Sequence, residues 1–264
     1  MRFRLKSGLS IRYLARGGGQ TLVLLHPVGL RAEFWQPVMA ELEGEFRILA
    51  LDARGHGESE FDGPFSLGDL ARDAAELVRA LHAGPAVFAG CSMGGMVAQG
   101  IAAIAPDVAS GIVIANTAYT RDDAGRAMIE QRALQAEKGM PSILPSTLSR
   151  WFDAACAAAR PDLPEMARDW LLANDPMVHA WAWRAIRDLN FADALRNSTL
   201  PKLCIGGARD QSTAAAAVRK MAGELPNAAY RELDAGHLAP LEQPKIFAAH
   251  LREFIQSLPK GLHG

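Results

Sequence analysis

The chain is poor in cysteine and has no excess of charge of either sign. Its 264 residues include three cysteines, Cys91, Cys156 and Cys204, which lie far apart and lack metal-ligand spacing. We therefore expect a reducing compartment, with neither a disulfide framework nor a metal site. Lysine and arginine total 28 against 29 for aspartate and glutamate, with no basic run. Nucleic acid and membrane surfaces are therefore not expected as partners.

Long apolar runs are also missing from the sequence. No stretch approaches the ~18 apolar residues of a membrane span. Charges within residues 1–6 occupy the position where a signal peptide needs its apolar stretch. The glycines at 17–19 lack the Lys-Ser/Thr of a phosphate-binding loop. We expect a cytoplasmic protein that uses no cofactor.

What the sequence does contain is an alternation of short β-branched runs with longer amphipathic stretches, which is typical of an α/β fold. Strands are predicted at 2–6, 9–15, 21–25, 46–51, 85–90, 109–115, 201–206 and 228–233. Helices are predicted at 33–42, 67–81 with Ser66 as N-cap, 93–105, 213–223 and 243–257. At 49% apolar residues, the chain can bury one large core.

The alternation is interrupted once, between residues 120 and 195. This segment has no strand-like run and contains four of the five tryptophans. Its Asp175-Pro176 pair is typical of a helix start, and 154–159 favours a helix. We predict three or four short helices that form a cap, inserted into an α/β core made of residues 1–119 and 196–264.

Chemistry is concentrated after strand 85–90, where Gly90-Cys91-Ser92-Met93-Gly94 fits the motif G-x-S-x-G between a strand and a helix. Ser92 is therefore a candidate nucleophile on a strained turn, whose flanking glycines avoid clashes with neighbouring backbone. The Met93 amide begins the helix and is a candidate donor to a developing negative charge. The alternative is a glycine-rich helix start with Ser92 as its N-cap.

A nucleophilic serine needs a base, and the base needs an orienting acid, both expected further along the chain. Only His237 directly follows a late strand, so we predict His237 as the base, in preference to His26, His56, His82, His179, His250 and His263. A histidine that caps the next helix is the alternative.

Asp210 is the candidate for the orienting acid, because it is the first acidic residue after strand 201–206. An Asp-capped turn is the alternative for this residue. Asp234 is closer to His237 in sequence, whereas the end of strand 109–115 offers Asn116 and no carboxylate.

A second oxyanion donor is expected in the loop after strand 21–25, which reads His26-Pro27-Val28-Gly29. Because Pro27 has no amide proton, we predict the Val28 amide as the donor. The alternative is a simple strand-to-helix turn.

Taken together, these features and the stretches Asp52–Ser59 and Gly236-His237 resemble the α/β-hydrolase superfamily over essentially the whole chain. The resemblance implies a mostly parallel eight-stranded sheet flanked by helices, with a helical cap. It also implies a structural role for the ordered loop Asp52–Ser59. No cofactor is implied.

Within that superfamily, Arg150-Trp151-Phe152 and 185–189 look like 3-oxoadipate enol-lactone hydrolases, which act in aromatic-compound breakdown. The resemblance implies a serine hydrolase that cleaves a small lactone or carboxylic ester, with 3-oxoadipate enol-lactone as the candidate substrate. A carboxylesterase, a carbon–carbon bond hydrolase or a perhydrolase on the same triad remain alternatives, as does a non-catalytic ligand receptor.

The segment 120–195 supplies candidate pocket residues. Trp151 is the first candidate to line the pocket, and Trp170, Trp181 and Trp183 are further candidates. For each of the four, the alternative is that the side chain packs the segment onto the core. Arg150 and Arg187 can meet a substrate carboxylate or lie at the surface.

Overall fold

A single twisted sheet organises the computed structural model, which describes residues 1–259. Within that range the sheet has eight strands in the order β1-β2-β4-β3-β5-β6-β7-β8. The strands are β1 Arg2–Arg4, β2 Ser10–Arg16, β3 Thr21–Leu25, β4 Arg47–Leu51, β5 Ala86–Cys91, β6 Ala109–Ala115, β7 Lys202–Gly207 and β8 Ala228–Leu233. β1 and β2 are antiparallel to their neighbours, and all later pairs are parallel. The predicted mostly parallel sheet is confirmed.

Helices connect the parallel strands. They are α1 Gln36–Leu42, α2 Leu67–Ala80, α3 Met93–Ile104, α4 Asp123–Ala136, α5 Leu144–Trp151, α6 Ala154–Ala159, α7 Asp162–Leu172, α8 Pro176–Arg187, α9 Ala192–Asn197, α10 Ala215–Glu224, α11 Ala239–Glu242 and α12 Pro244–Ser257. α1 packs against α12, and α2 packs against α3. Every residue of β3, β5 and β6 is buried, as expected when helices cover both faces of a parallel sheet.

Local sequence signals set several helix ends. The Ser66 hydroxyl accepts from the Asp69 amide, and the Ser66 amide donates to the Asp69 carboxylate, which completes a capping box at the start of α2. Residues 33–35, predicted as the start of an α-helix, instead belong to a 3-10 turn at Ala32–Trp35, and α1 begins one residue before Pro37. A proline is tolerated in the first turn because its missing N–H would have no helical acceptor there.

The chain between β6 and β7 consists of helices joined by loops and, within the described residues, contains no strand. It contains α4 to α9, so six α-helices replace the three or four that the sequence predicted. The predicted start of α8 is confirmed, since Asp175 accepts from the amides of Met177 and Val178. α4 packs along α8. Along the described chain, no helix combines the length and apolar character that a bilayer crossing requires.

Three buried histidines connect the loops after β3 and β4 with α8. The His26 ring lies 5.2 Å from the His56 ring, and His179 accepts from the Trp183 indole at 3.0 Å. Burial lowers the pKa of His26 to about 4 and those of His56 and His179 to about 3. All three are therefore neutral in the folded protein near neutral pH.

Lowering the pH from 7 to 5 should reduce the free energy of unfolding. At pH 5 the three histidines stay neutral in the folded protein, whereas the unfolded chain, with ordinary histidine pKa values near 6.5, binds a proton at each. Because the unfolded state takes up protons below pH 6.5, the loss at pH 5 is about 2 kcal/mol per histidine. Urea unfolding at pH 7, 6 and 5 measures this decrease in the free energy of unfolding.

Two variants isolate this effect. His179→Gln keeps an acceptor for Trp183 but cannot titrate, so its stability should fall less steeply with pH than that of the wild type. His82→Asn changes an exposed histidine at a positive φ of 46°, which asparagine tolerates, and should leave the pH dependence unchanged. An unaltered slope in His179→Gln would contradict a neutral, buried His179.

Candidate active site

Ser92 occupies the sharp turn between β5 and α3. Its backbone has φ 54° and ψ −118°, a conformation that few side-chain-bearing residues adopt. The Ser92 amide donates to the Ala115 carbonyl at 2.9 Å, which fixes the turn against β6. The hydroxyl makes no cap hydrogen bond to α3, so Ser92 does not act as a side-chain N-cap.

Two glycines of the motif are required by close backbone contacts. A Cβ at Gly90 would overlap the Gly94 carbonyl, and a Cβ at Gly94 would overlap the Leu25 carbonyl. These contacts hold the start of α3 directly against the end of β3. The turn from Gly90 to Gly94 therefore places the Ser92 side chain at the edge of the sheet where β5 and the other parallel strands end.

A continuous hydrogen-bond chain joins Ser92, His237 and Asp210. His237 Nε2 lies 3.0 Å from Ser92 Oγ, and His237 Nδ1 lies 2.9 Å from Asp210 Oδ2. The His237 and Asp210 side chains are almost completely buried. The structure thus brings the three predicted residues together from loops at the ends of β5, β8 and β7.

Asp210 is held by four donors. Besides His237, it accepts from Asn116 Nδ2 at 3.0 Å and from the amides of Ser212 and Thr213 at 2.7 and 2.9 Å. Burial alone acts to raise the pKa of Asp210, but His237, Asn116 and Thr213 outweigh it and hold the pKa below its ordinary value. The carboxylate is therefore charged beside the imidazole.

Asn116 is a site residue that sequence reasoning passed over. It lies at the end of β6 with φ 49° and also donates to the Gly236 carbonyl at 3.2 Å. Its position after a parallel strand was visible in the sequence, but only its lack of a carboxylate was considered. The structure makes it a bridge between the Asp210 and His237 loops.

The His237 loop is tied to α5, α6 and α11. The His237 amide donates to the Trp151 carbonyl at 3.2 Å, and the Gly236 amide donates to Glu242 at 3.0 Å. Arg209 pairs with Glu242 at 3.3 Å and with Asp153, the N-cap of α6, at 2.6 Å. The loop is thus anchored from both sides.

Asp234, the rival acid, faces away from the site. Its side chain is 83% exposed and pairs with Arg209. The structure therefore gives His237 the Asp210 carboxylate as its acidic partner.

The predicted oxyanion donors lie beside Ser92. Val28 lines the same cavity as Ser92, and Met93 is the first residue of α3. Across residues 1–259, neither the Val28 amide nor the Met93 amide donates to another protein group. Both amides therefore lack a protein acceptor in the described chain, and of the two residues Val28 lines the cavity.

A cavity of about 230 Å³ opens over Ser92 and His237. Its lining is Val28, Ser92, Met96, Arg121, Gly125, Met128, Ile129, Arg132, Arg150, Trp151, Trp183, Ile186, Ser212, Thr213 and His237. The Trp151 ring stacks 6.3 Å from the His237 ring. Of the tryptophans considered, Trp170 and Trp181 do not line this cavity, and Trp181 packs on Phe61 instead.

The two predicted arginines have different surroundings. Arg150 lines the cavity, whereas Arg187 pairs with Glu130 at 2.5 Å and with Asp188 at 2.8 Å outside it. Arg121 and Arg132 also line the cavity, although sequence reasoning did not single them out.

The remaining candidates lie elsewhere. His82 is exposed, His250 is on α12, and His263 lies outside the described residues. Burial, together with Asp210 and Glu242, raises the pKa of the Cys91 thiol well above its ordinary value. Among the described residues, no three His, Cys, Asp or Glu side chains are grouped closely enough to hold a metal ion.

Comparison with known proteins assigns the chain to a family. Residues 22–250 match the profile of the alpha/beta hydrolase family. The chain belongs to that family. The fold and the hydrolase class predicted from the sequence are therefore confirmed at the level of the family.

Relatives of this hydrolase match it over most of its length. The (E)-2-((N-methylformamido)methylene)succinate hydrolase of Acinetobacter baylyi is 27% identical over 97% of this chain and 98% of the relative. From the same organism, 3-oxoadipate enol-lactonase 2 is 27% identical over 86% of this chain and 85% of the relative. The solved enol-lactonase of Burkholderia xenovorans LB400 has a TM-score of 0.90 and 27% identity over 97% of this chain and 100% of its own.

Proposed function

We propose that this protein is a serine hydrolase that opens a lactone or cleaves a carboxylic ester through a Ser92-linked acyl-enzyme. One observation carries the proposal: the unbroken chain from Ser92 Oγ through His237 to the charged Asp210, at 3.0 and 2.9 Å. A serine hydroxyl becomes a nucleophile when a positioned imidazole accepts its proton and a carboxylate stabilises the resulting imidazolium.

In the first half of the reaction, Ser92 Oγ forms a bond to the acyl carbon while its proton passes to His237 Nε2. The carbonyl oxygen becomes an oxyanion, and the amides of Val28 and Met93 are free to hold it. Each such donor contributes roughly 10²–10³ in rate. As the carbonyl re-forms, the alkoxy or enol oxygen leaves with the proton from His237.

In the second half, water attacks the acyl-enzyme. His237 takes one proton from the water and returns it to Ser92 as the acyl–serine bond breaks, which releases the carboxylic acid. Asp210 holds Nδ1 of the ring as donor throughout, so Nε2 stays directed at Ser92.

We propose that α4 to α9 act as a cap over a core of residues 1–119 and 196–264. These helices lie within the predicted segment 120–195, except that α9 ends at Asn197. Arg121, Ile129, Arg150 and Trp183 from this region line the cavity above Ser92. The enol-lactonase names of two relatives support 3-oxoadipate enol-lactone as the first substrate to assay.

A fluorophosphonate probe tests the nucleophile. Attack by Ser92 forms an oxygen–phosphorus bond and releases fluoride, while His237 takes the hydroxyl proton. We expect one adduct per chain, on the peptide that contains Ser92, in intact-mass and peptide-mapping spectra. An adduct that persists in Ser92→Ala would contradict the assignment.

A substrate panel then tests the reaction class. It contains carboxylic esters, enol-lactones including 3-oxoadipate enol-lactone, vinylogous acids for carbon–carbon cleavage, and peroxide with acetate for perhydrolysis. We expect turnover of lactones or esters. The absence of turnover for every member, together with no labelling, would instead favour a ligand receptor that retains the triad.

A further inference from the structure

Three arginines line the candidate active-site cavity without forming an ion pair with a carboxylate of the described chain. Arg121, Arg132 and Arg150 are half-buried, and the cavity lining contains neither aspartate nor glutamate. Over residues 1–259, no carboxylate lies within ion-pair distance of any of the three guanidinium groups. The cavity therefore contributes three positive charges beside Ser92 that form no ion pair, although the neighbouring Asp122 acts on Arg121 through space.

Few of the donors on these side chains are used. Arg150 donates from Nε to the Ser146 carbonyl at 2.8 Å, an intrahelical bond that orients its guanidinium. Arg132 lies over the Trp183 ring at 5.1 Å. Arg121 Nε is buried and has no hydrogen-bond partner in the described protein. Buried polar groups are normally satisfied, so an unsatisfied guanidinium nitrogen indicates a missing acceptor.

The electrostatic environment agrees with this geometry. Burial, followed by the charges of Arg150 and Arg121, lowers the pKa of Arg132 to about 10. Burial lowers the pKa of Arg150. Burial, followed by the charge of Arg126, lowers the pKa of Arg121, and the charge of Asp122 opposes that shift. All three groups remain charged at neutral pH, where they repel one another and oppose folding.

Outside the cavity, two arginines of α8 form ion pairs with carboxylates of α4. Arg184 pairs with Glu130 at 3.0 Å and with Glu137 at 2.6 Å, and Arg187 also pairs with Glu130. α4 thus supplies carboxylates to α8 on one side and none to the cavity on the other. Arg126 of α4 lies outside the cavity lining and, among the described residues, also forms no ion pair, so what distinguishes the cavity is that three such arginines line it together. A cluster of like charges in one cavity is typical of a site that is neutralised by a ligand.

We propose that the substrate carries at least two carboxylates on the part that enters the cavity together with the scissile bond. Arg121, Arg132 and Arg150 bind these carboxylates. The ester or lactone in this substrate rests on the proposed function, whereas the anion site rests on the arginines alone. A planar guanidinium binds a carboxylate through two parallel hydrogen bonds. A lactone with a single carboxylate, such as 3-oxoadipate enol-lactone, would leave two guanidinium charges uncompensated.

Calorimetric titration of the wild-type protein with non-hydrolysable acids tests the site. At 150 mM salt we expect pentanedioate to bind at least ~10-fold more tightly than pentanoate, because the second carboxylate adds charge-assisted hydrogen bonds. Equal affinity for the two acids would overturn the proposal. Tighter binding of butyl phosphate than of pentanedioate would overturn the assignment to carboxylates.

Three single variants locate the site. Arg121→Gln, Arg132→Gln and Arg150→Gln should each weaken pentanedioate binding ~10-fold or more. The control is Arg168→Gln, which loses the same charge from an exposed arginine of α7 that is paired with Asp169. It should change the affinity for pentanedioate less than twofold. Equal weakening in all four variants would indicate a non-specific effect of net charge and overturn the site.

Thermal melting separates binding from a structural role. Because the three arginines have no acidic partners, each glutamine variant should melt at the wild-type temperature or above it, whereas a structural arginine would lower it. The ligand titration needs no turnover. Arginine-dependent binding of pentanedioate without ester or lactone hydrolysis would therefore contradict only the proposed function. Hydrolysis without a preference for pentanedioate over pentanoate would contradict only the proposed anion site.

Discussion

Replacing Ser92 with alanine should lower kcat for any ester or lactone substrate by about 10⁴–10⁶-fold while the fold survives. This loss corresponds to ~5–8 kcal/mol of transition-state stabilisation. Alanine removes the oxygen that His237 Nε2 contacts at 3.0 Å, but it keeps the backbone bond from residue 92 to Ala115. The free Val28 and Met93 amides would sustain a residual rate. Steady-state assays with circular dichroism as a check on folding measure the effect.

Cys91 supplies the matched control for Ser92. It is adjacent in sequence, but its thiol is buried and has a raised pKa, so it is a poor nucleophile. Cys91→Ala should keep kcat within about tenfold and lower the free energy of unfolding by about 1 kcal/mol, because it leaves a small cavity. Full activity in Ser92→Ala, or its loss in Cys91→Ala alone, would transfer the nucleophile to another residue.

Asp210→Asn should lower kcat by about 10³–10⁴-fold without unfolding the protein. Asparagine is nearly isosteric with aspartate, but only one of its two terminal side-chain atoms, the oxygen, can accept a hydrogen bond. It therefore cannot replace Asp210 as the acceptor for all four surrounding donors. Its amide group would donate toward His237 and favour the tautomer that directs an N–H at Ser92. The imidazole would then be unable to accept the serine proton. Steady-state kinetics measures the loss.

Asp234→Asn is the control for Asp210. The Asp234 side chain is 83% exposed and interacts with Arg209 rather than with His237. An exposed ion pair contributes at most about 1 kcal/mol, so kcat should stay within about twofold. A steep loss in Asp234→Asn with normal turnover in Asp210→Asn would reverse the roles of the two carboxylates.

Local sequence signals were sufficient for most of the sheet. Strands 21–25 and 228–233 were predicted with the bounds that the structure has, because glycine, proline or asparagine marks the nearby chain. The Ser66 N-cap and the Asp175-Pro176 start were predicted from side-chain chemistry that acts within three residues. Such contacts do not depend on the rest of the fold.

Prediction was weaker in the segment between β6 and β7. The stretch 154–159 was predicted as helix-favouring and forms α6, but no bounds were predicted for α4, α5, α7 or α9. α9, for example, has Leu195 as its one buried residue and therefore shows no apolar period. Arg121 and Arg132 were passed over because whether their side chains face the cavity depends on how the helical segment packs. Arg187, with the same chemistry, faces Glu130 instead.

By itself the sequence determined the turn around Ser92, since Gly90 and Gly94 encode backbone contacts between a strand and the next helix. It also determined the α/β class and the chain order of the three hydrogen-bonded residues. Only the tertiary structure decided that Asp210, rather than Asp234, reaches His237 and that Asn116 joins them. The physical reason is distance along the chain: local geometry follows from neighbouring residues, whereas contacts across 27 to 145 positions depend on how the sheet aligns its strand ends.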